Sequence, residues 1–201
     1  NGAYAVAASP DGLNVYVAGY VDDAVAVFRW TGGALGFEGV VKDGVDGVDG
    51  LNGANSIWIS PAGDYVYVAS RWDHAVAVFW RNPSSGMLTQ VQVWKEGMDG
   101  VDGLLGARAV TGSPDGRTVY VASQYDDALA VFLRGKNGRL TFRRVVRNGD
   151  MRTFGLETAS GLAVSPDGRS MYVGGYGDDT VAVFRRTGGA PGWAPLLLDG
   201  F

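Results

Sequence analysis

Ser113-Pro114-Asp115-Gly116-Arg117-Thr118-Val119-Tyr120-Val121-Ala122-Ser123-Gln124-Tyr125-Asp126-Asp127-Ala128-Leu129-Ala130-Val131-Phe132 decides how this chain folds. It begins with a tight turn, in which Pro presets φ near −65° and Gly accepts φ > 0. An apolar segment, Val-Tyr-Val-Ala, follows and stops at the polar bend Asp126-Asp127. A second segment of β-branched and aromatic residues then runs to Phe132, so the stretch reads as a hairpin. Working outward, the same order recurs from Ser9-Pro10-Asp11-Gly12, Ser60-Pro61-Ala62-Gly63 and Ser165-Pro166-Asp167-Gly168, at offsets of 51, 53 and 52. The second segments of the other copies end at Phe28, Phe79 and Phe184. The chain is a fourfold repeat.

Two more strands complete each copy. The segment before the Ser-Pro turn, Ala3 to Ala8 in the first copy, is short and built of small residues, and Thr31-Gly32-Gly33 leads into a fourth strand over Leu35 to Val41. With no 3.6-residue apolar period, this pattern predicts an antiparallel meander and almost no helix. The strands are apolar in both phases, which requires cover on both faces, whereas a sandwich leaves one face wet. The expected fold is therefore all-β: a β-propeller made of four consecutive four-stranded antiparallel blades. A β-helix is the alternative, but its coils are shorter than this period. One domain, 1–201, divides into blades at approximately 1–51, 52–104, 105–157 and 158–201.

Composition agrees and removes several functions. The 32 glycines among 201 residues are roughly twice average usage, which suits a turn-rich chain. Seventeen Lys and Arg against 21 Asp and Glu give a net charge of −4, and the basic residues are scattered apart from Arg143/Arg144 and Arg185/Arg186. A nucleic-acid partner is excluded on that ground, since phosphate neutralisation needs clustered positive charge. No stretch reaches the ~18 apolar residues of a membrane span, and without Cys there is no disulfide or thiol chemistry.

The motifs Ser-Pro-Asp-Gly, Val-Tyr-Val-Ala and Asp-Asp-Ala-Val-Ala-Val-Phe with the following Gly-x-Leu, as in Ser113 through Phe132 and Leu140, resemble the blades of lactonase-type and YVTN-repeat propellers. The resemblance covers nearly the whole chain and implies a blade scaffold. It also implies seven blades, and a protein that either acts on sugar lactones or only binds. Asn1-Gly2-Ala3 matches the end of the connectors between copies, and Leu198-Asp199-Gly200-Phe201 their beginning. Three arrangements fit: a fragment of a larger propeller, half of an eight-bladed ring of two chains, or a closed four-bladed ring. In each, a protein partner or remaining blades must cover any open end.

Two acidic sets are expected on one face. The bends carry Asp22/Asp23, Asp73/His74, Asp126/Asp127 and Asp178/Asp179, and the connectors carry Asp43, Asp46, Asp49, Asp99 and Asp102. Hard cations such as Ca²⁺ take carboxylate and carbonyl oxygens at flexible geometry, so the connector residues are the candidate metal ligands. Their spacing is not that of an EF-hand, and Asp-Gly pairs are also ordinary turn formers. The paired Asp of the bends are candidate ligand contacts, although residues that recur in every copy suit architecture better than chemistry. Asymmetry singles out Arg71-Trp72-Asp73-His74, which holds the sole histidine. His74, Asp73 and Arg71 are the candidate catalytic group, His74 as a base with a reference pKa near 6.5, and Trp72 is a ligand-stacking plane expected at an exposed mouth. The other tryptophans, Trp30, Trp58, Trp80, Trp94 and Trp193, are mostly expected in packing roles.

The sequence supports first a non-catalytic binding or scaffold module, extracellular, periplasmic or lumenal, with an acidic face for calcium, glycans or proteins. The alternative is part of a lactonase-like hydrolase acting on a sugar lactone. No nucleophile elbow or zinc-ligand set favours another chemistry.

Overall fold

Each period folds into one four-stranded antiparallel sheet whose strands lie in chain order. The computed structural model describes residues 1–150, 153–186 and 193–196. The first sheet holds β1 (Ala3–Ala8), β2 (Asn14–Gly19), β3 (Ala24–Trp30) and β4 (Leu35–Lys42). The second holds β5 (Ala54–Ile59), β6 (Tyr65–Ser70), β7 (Ala75–Arg81) and β8 (Leu88–Lys95). The third holds β9 (Ala107–Gly112), β10 (Thr118–Ser123), β11 (Ala128–Arg134) and β12 (Leu140–Arg147). The fourth holds β13 (Ala159–Val164), β14 (Ser170–Gly175), β15 (Thr180–Arg186) and β16 (Trp193–Leu196). A short 3₁₀ turn, Met98–Gly100, follows β8. Leu198 to Phe201 and the side chain of Trp193 lie outside the described residues.

Neighbouring sheets meet face to face, and their first strands sit side by side: β1 by β5, β5 by β9, β9 by β13. The first strands are thus innermost, as in a propeller. A separate core fills each gap. Tyr16, Val25 and Val27 of the first sheet pack on Val66, Val68, Ala77 and Phe79 of the second. Tyr67, Val76 and Val78 meet Val119, Val121 and Phe132, and Tyr120, Leu129 and Val131 meet Met171, Val173 and Phe184. Two-sided apolar strands are the sequence counterpart of these gaps.

The arc is open. Val66, Val68, Ala77 and Phe79 are fully buried, whereas their copies in the first sheet, Val15, Val17, Ala26 and Phe28, are half-buried and lie with exposed Val6, Phe37 and Val40. At the other end Tyr172 and Val181 are exposed, although their copies Tyr16 and Val25 are fully buried. Self-closure into a four-bladed ring does not occur, because these two faces do not cover each other.

A charged clasp joins successive sheets at the Ser-Pro turns. Arg81, at the end of β7, is buried. Its Nε donates to the Tyr16 hydroxyl at 2.9 Å, its Nη1 to the Gly63 carbonyl at 3.1 Å, and its Nη2 to Asp11 at 2.7 Å and Asn14 Oδ1 at 2.6 Å. Tyr16 in turn donates to the Gly86 carbonyl at 2.8 Å. The next joint repeats this: Arg134 donates to Tyr67 at 2.6 Å and to Asp64 at 3.0 Å, and Tyr67 donates to the Gly138 carbonyl at 2.8 Å. Burial pushes the Tyr67 hydroxyl up to about 12 against the pull of Arg134, so it keeps its proton. Gly138 is required there, since it has φ +74° and a Cβ would stand 2.2 Å from the Tyr65 ring.

Candidate functional site

The bends and connectors share one face, and their acidic residues mostly hold backbone. The first Asp of a bend accepts an N–H from the incoming connector: Asp73 from Asn52 at 3.0 Å, Asp126 from Leu105 at 2.9 Å, Asp178 from Glu157 at 2.9 Å. Asp22 accepts from the Asn1 nitrogen in the same way. The second residue reaches the next sheet: Asp23 accepts from Gly53 at 2.8 Å and Asp127 from Thr158 at 2.6 Å. Asp23, His74, Asp127 and Asp179 all sit at φ near +50° (53, 51, 49 and 51), a left-handed conformation that Asp, Asn and His tolerate best among residues with a Cβ. Asp179 is exposed.

His74 does the work of the Asp it replaces. Its Nδ1 accepts the Gly106 N–H at 2.9 Å, and Asp73 is shared between the Asn52 amide and Lys95. Both side chains hold backbone of a connector, His74 through the Gly106 amide and Asp73 through that of Asn52. His74→Asp should therefore leave stability within about 0.5 kcal/mol. His74→Ala should cost about 1–2 kcal/mol by stranding the Gly106 N–H. Urea melts of both variants check this, and an unchanged midpoint in His74→Ala would contradict it.

The connectors bring Asp43 and Asp49 together with Asp73, and Asp102 together with Glu96 and Asp126, within 4.8 Å in each trio. A cationic side chain enters both. Lys95 Nζ lies 2.7 Å from Asp49 and 3.3 Å from Asp73, while Arg147 pairs with Asp102 and stands 4.0 Å from Asp126. The Arg147 hydrogen bond holds the Asp102 carboxyl below the usual range despite burial. Asp43 and Glu96 also cap the Leu51 and Leu104 amides, a task that neutral Asn148 performs for Leu156. Asp46 and Asp99 lie outside both trios as exposed left-handed turn residues. Lys95 and Arg147 thus place positive charge beside both trios.

Chemical variety gathers at the axis. In every first strand the pairing slips by one residue, between Ala3 and Ala5, Ala54 and Ser56, Ala107 and Ala109, and Ala159 and Gly161. The unpaired residues are Tyr4, Asn55, Arg108 and Ser160. Such bulges re-aim side chains and favour sites. Arg108 donates to Gln124 Oε1 at 2.8 Å and to the Tyr4 hydroxyl at 3.3 Å, a bond that reaches from the third sheet to the first. Beside it, Arg71 Nε donates to the Tyr125 hydroxyl at 3.0 Å. The Arg71 guanidinium lies 4.7 Å from the Trp72 ring centre and 5.2 Å from that of Tyr125. Tyr4, Tyr20, Trp72 and Tyr125 follow one another at centroid spacings of 5.5, 6.2 and 6.5 Å, making a half-exposed aromatic row with two guanidinium groups.

The sequence reading found Arg71 and Trp72 here but missed Tyr4, Asn55, Arg108 and Gln124. The available signal was the same asymmetry: at the bulge each copy carries a different polar or aromatic residue, and at the Gln124 position the copies read Tyr20, Arg71, Gln124 and Tyr176. Among the remaining tryptophans, Trp58 packs 5.1 Å from Tyr67 and Trp94 donates to the Leu140 carbonyl, whereas Trp30 and Trp80 are exposed. Trp80 follows Phe79 directly, whereas Trp30 stands two residues after Phe28, at the position that Arg81 holds in the second copy.

The model of a family described as lactonase, 7-bladed beta-propeller, matches residues 1–144. No curated protein matches the sequence. Among solved structures, the periplasmic gluconolactonase of Pseudomonas aeruginosa is 25% identical with a TM-score of 0.77, over 97% of this chain and 53% of its own. A Lactobacillus plantarum protein gives 22%, 0.80, 97% and 54% for the same measures. A Bacteroides uniformis protein whose name places it with the 6-phosphogluconolactonases gives 19%, 0.79, 96% and 53%. The chain spans about half the length of these structures. These matches overturn the expectation of a non-catalytic scaffold module and favour the hydrolase alternative. Among the described residues, no helix is long and apolar enough to cross a membrane.

Proposed function

The chain belongs to the seven-bladed β-propeller lactonase family, and we propose that it supplies four blades and part of the pocket of a hydrolase that opens a sugar lactone. The observation that carries this reading is the Arg108 guanidinium at an innermost bulge, hydrogen-bonded to Tyr4 two sheets away. Hydrolysis adds water to the lactone carbonyl carbon, puts negative charge on the carbonyl oxygen, and then breaks the ring C–O bond, leaving a hydroxy acid. A guanidinium aimed at that oxygen stabilises the charge where it develops. Tyr20, Trp72 and Tyr125 offer flat apolar surface to the sugar ring, and Arg71, held by Tyr125, offers a second set of donors. A periplasmic placement goes with the reading, supported by the compartment of the Pseudomonas relative.

Acid release by the native protein, followed in a pH-stat with D-glucono-1,5-lactone and its 6-phosphate, tests the function. Enzyme-dependent opening of either is expected. Rates equal to spontaneous hydrolysis for both would overturn it.

A further inference from the structure

Three side-chain oxygens near the bulges are buried without a hydrogen-bond partner: Asn55 Oδ1, Ser70 Oγ and Ser123 Oγ. Asn55 differs from the two serines in standing at a bulge itself, on the innermost strand of the second sheet. Its residue is 4% exposed. The first and third sheets flank it, and their bulge residues Tyr4 and Arg108 join across this sheet by a long 3.3 Å bond. The adjoining residue, Ser56, is fixed by accepting the Val110 N–H at 3.1 Å, so the strand around Asn55 is anchored, and Tyr4 is 55% exposed.

A buried amide oxygen with no donor is a standing cost to the fold, and such a group calls for an explanation. We infer that Asn55 is a substrate-binding residue, whose Oδ1 accepts a hydrogen bond from a ring hydroxyl of the lactone when the Tyr4–Arg108 bond opens. The inference rests on the lactonase reading. A polyhydroxylated lactone is the ligand class that serves both groups together, giving an O–H donor to Asn55 and a carbonyl acceptor to Arg108. A neutral amide suits this task, because it accepts from a hydroxyl without burying a charge.

The test compares native protein with Asn55→Leu, using D-glucono-1,5-lactone and its single-deoxy analogues. The native protein should lose about tenfold or more in kcat/KM toward one deoxy analogue, since a site built for a hydroxyl rejects the ligand lacking it. Asn55→Leu should raise KM for the parent lactone by about tenfold with little change in kcat, and should no longer distinguish that analogue. Its melting temperature should hold or rise, because an unsatisfied polar atom is gone. A fall in melting temperature with KM and analogue preference unchanged would overturn the inference and assign Asn55 to the scaffold. Absence of any lactone opening by the native protein would overturn the parent reading along with it, a failure visible before the variant is made.

Discussion

Replacing Arg81 by methionine is expected to lower the melting temperature by roughly 6–12 °C, from a loss of about 3 kcal/mol. The side chain is 3% exposed and holds Tyr16, Asn14, Gly63 and Asp11 together. Methionine fills most of the volume, so the loss is electrostatic: the buried Tyr16 and Asn14 oxygens keep no donor from the second sheet. Arg81→Lys should fall between the two, since one ammonium cannot reach four acceptors placed for a planar fork. Trp80→Ser, one residue earlier and exposed, should move stability by about 0.5 kcal/mol or less. Acid adds a second signature. Burial pushes the Asp11 carboxyl up, but the Ser9 hydroxyl, the Leu13 amide and Arg81 together outweigh it and hold it at about 2. Its folded-state pKa is thus below the ordinary 3.8, so its stabilisation is complete above pH 4 and fades as pH falls toward 2. Solvent screening of this partly exposed carboxylate reduces the contribution to about 1 kcal/mol. Chemical melts between pH 2 and 6 should show that loss in the native protein and a smaller one in Arg81→Met. Equal melting temperatures at neutral pH would contradict the clasp.

Arg108→Ala should lower kcat/KM for lactone opening about a hundredfold, with the melting temperature nearly unchanged. Both of its hydrogen bonds are to side chains, Gln124 and Tyr4, and it is half-buried rather than part of a core. Arg108→Lys should recover part of the loss, as a point charge still faces the developing oxyanion without the bidentate geometry. Steady-state kinetics beside a thermal melt separates the outcomes. A variant that melts early but turns over normally would make Arg108 a strut between blades.

The blades were legible because their information is local: a turn, a strand, a bend and a strand lie within the stretch that ends at Phe132. The clasps were not, for the opposite reason. Arg81 and Arg134 read as isolated basic residues, and Tyr16 and Tyr67 as one more apolar position in Val-Tyr-Val, because donor and acceptor lie more than sixty residues apart in the chain. The partners of the acidic connectors were hidden in the same way: Asp49 and Asp102 stand close in sequence to other carboxylates, while Lys95 and Arg147 arrive from the ends of later strands. The bulges were harder still. A one-residue slip is a property of strand pairing, and nothing in Ala54-Asn55-Ser56 alone announces which residue loses its partner. Asymmetry between copies was the usable clue, and it was applied to the bends when it held equally for the innermost strands.

The clasp has a direction: both described joints take their guanidinium from the later repeat and their side-chain acceptors from the earlier one. A crossover between two connectors would therefore remove or duplicate a complete plug together with a complete socket. Every surviving joint would still find its counter-group, so a gene of this kind can change its number of units by unequal recombination without redesigning a single contact.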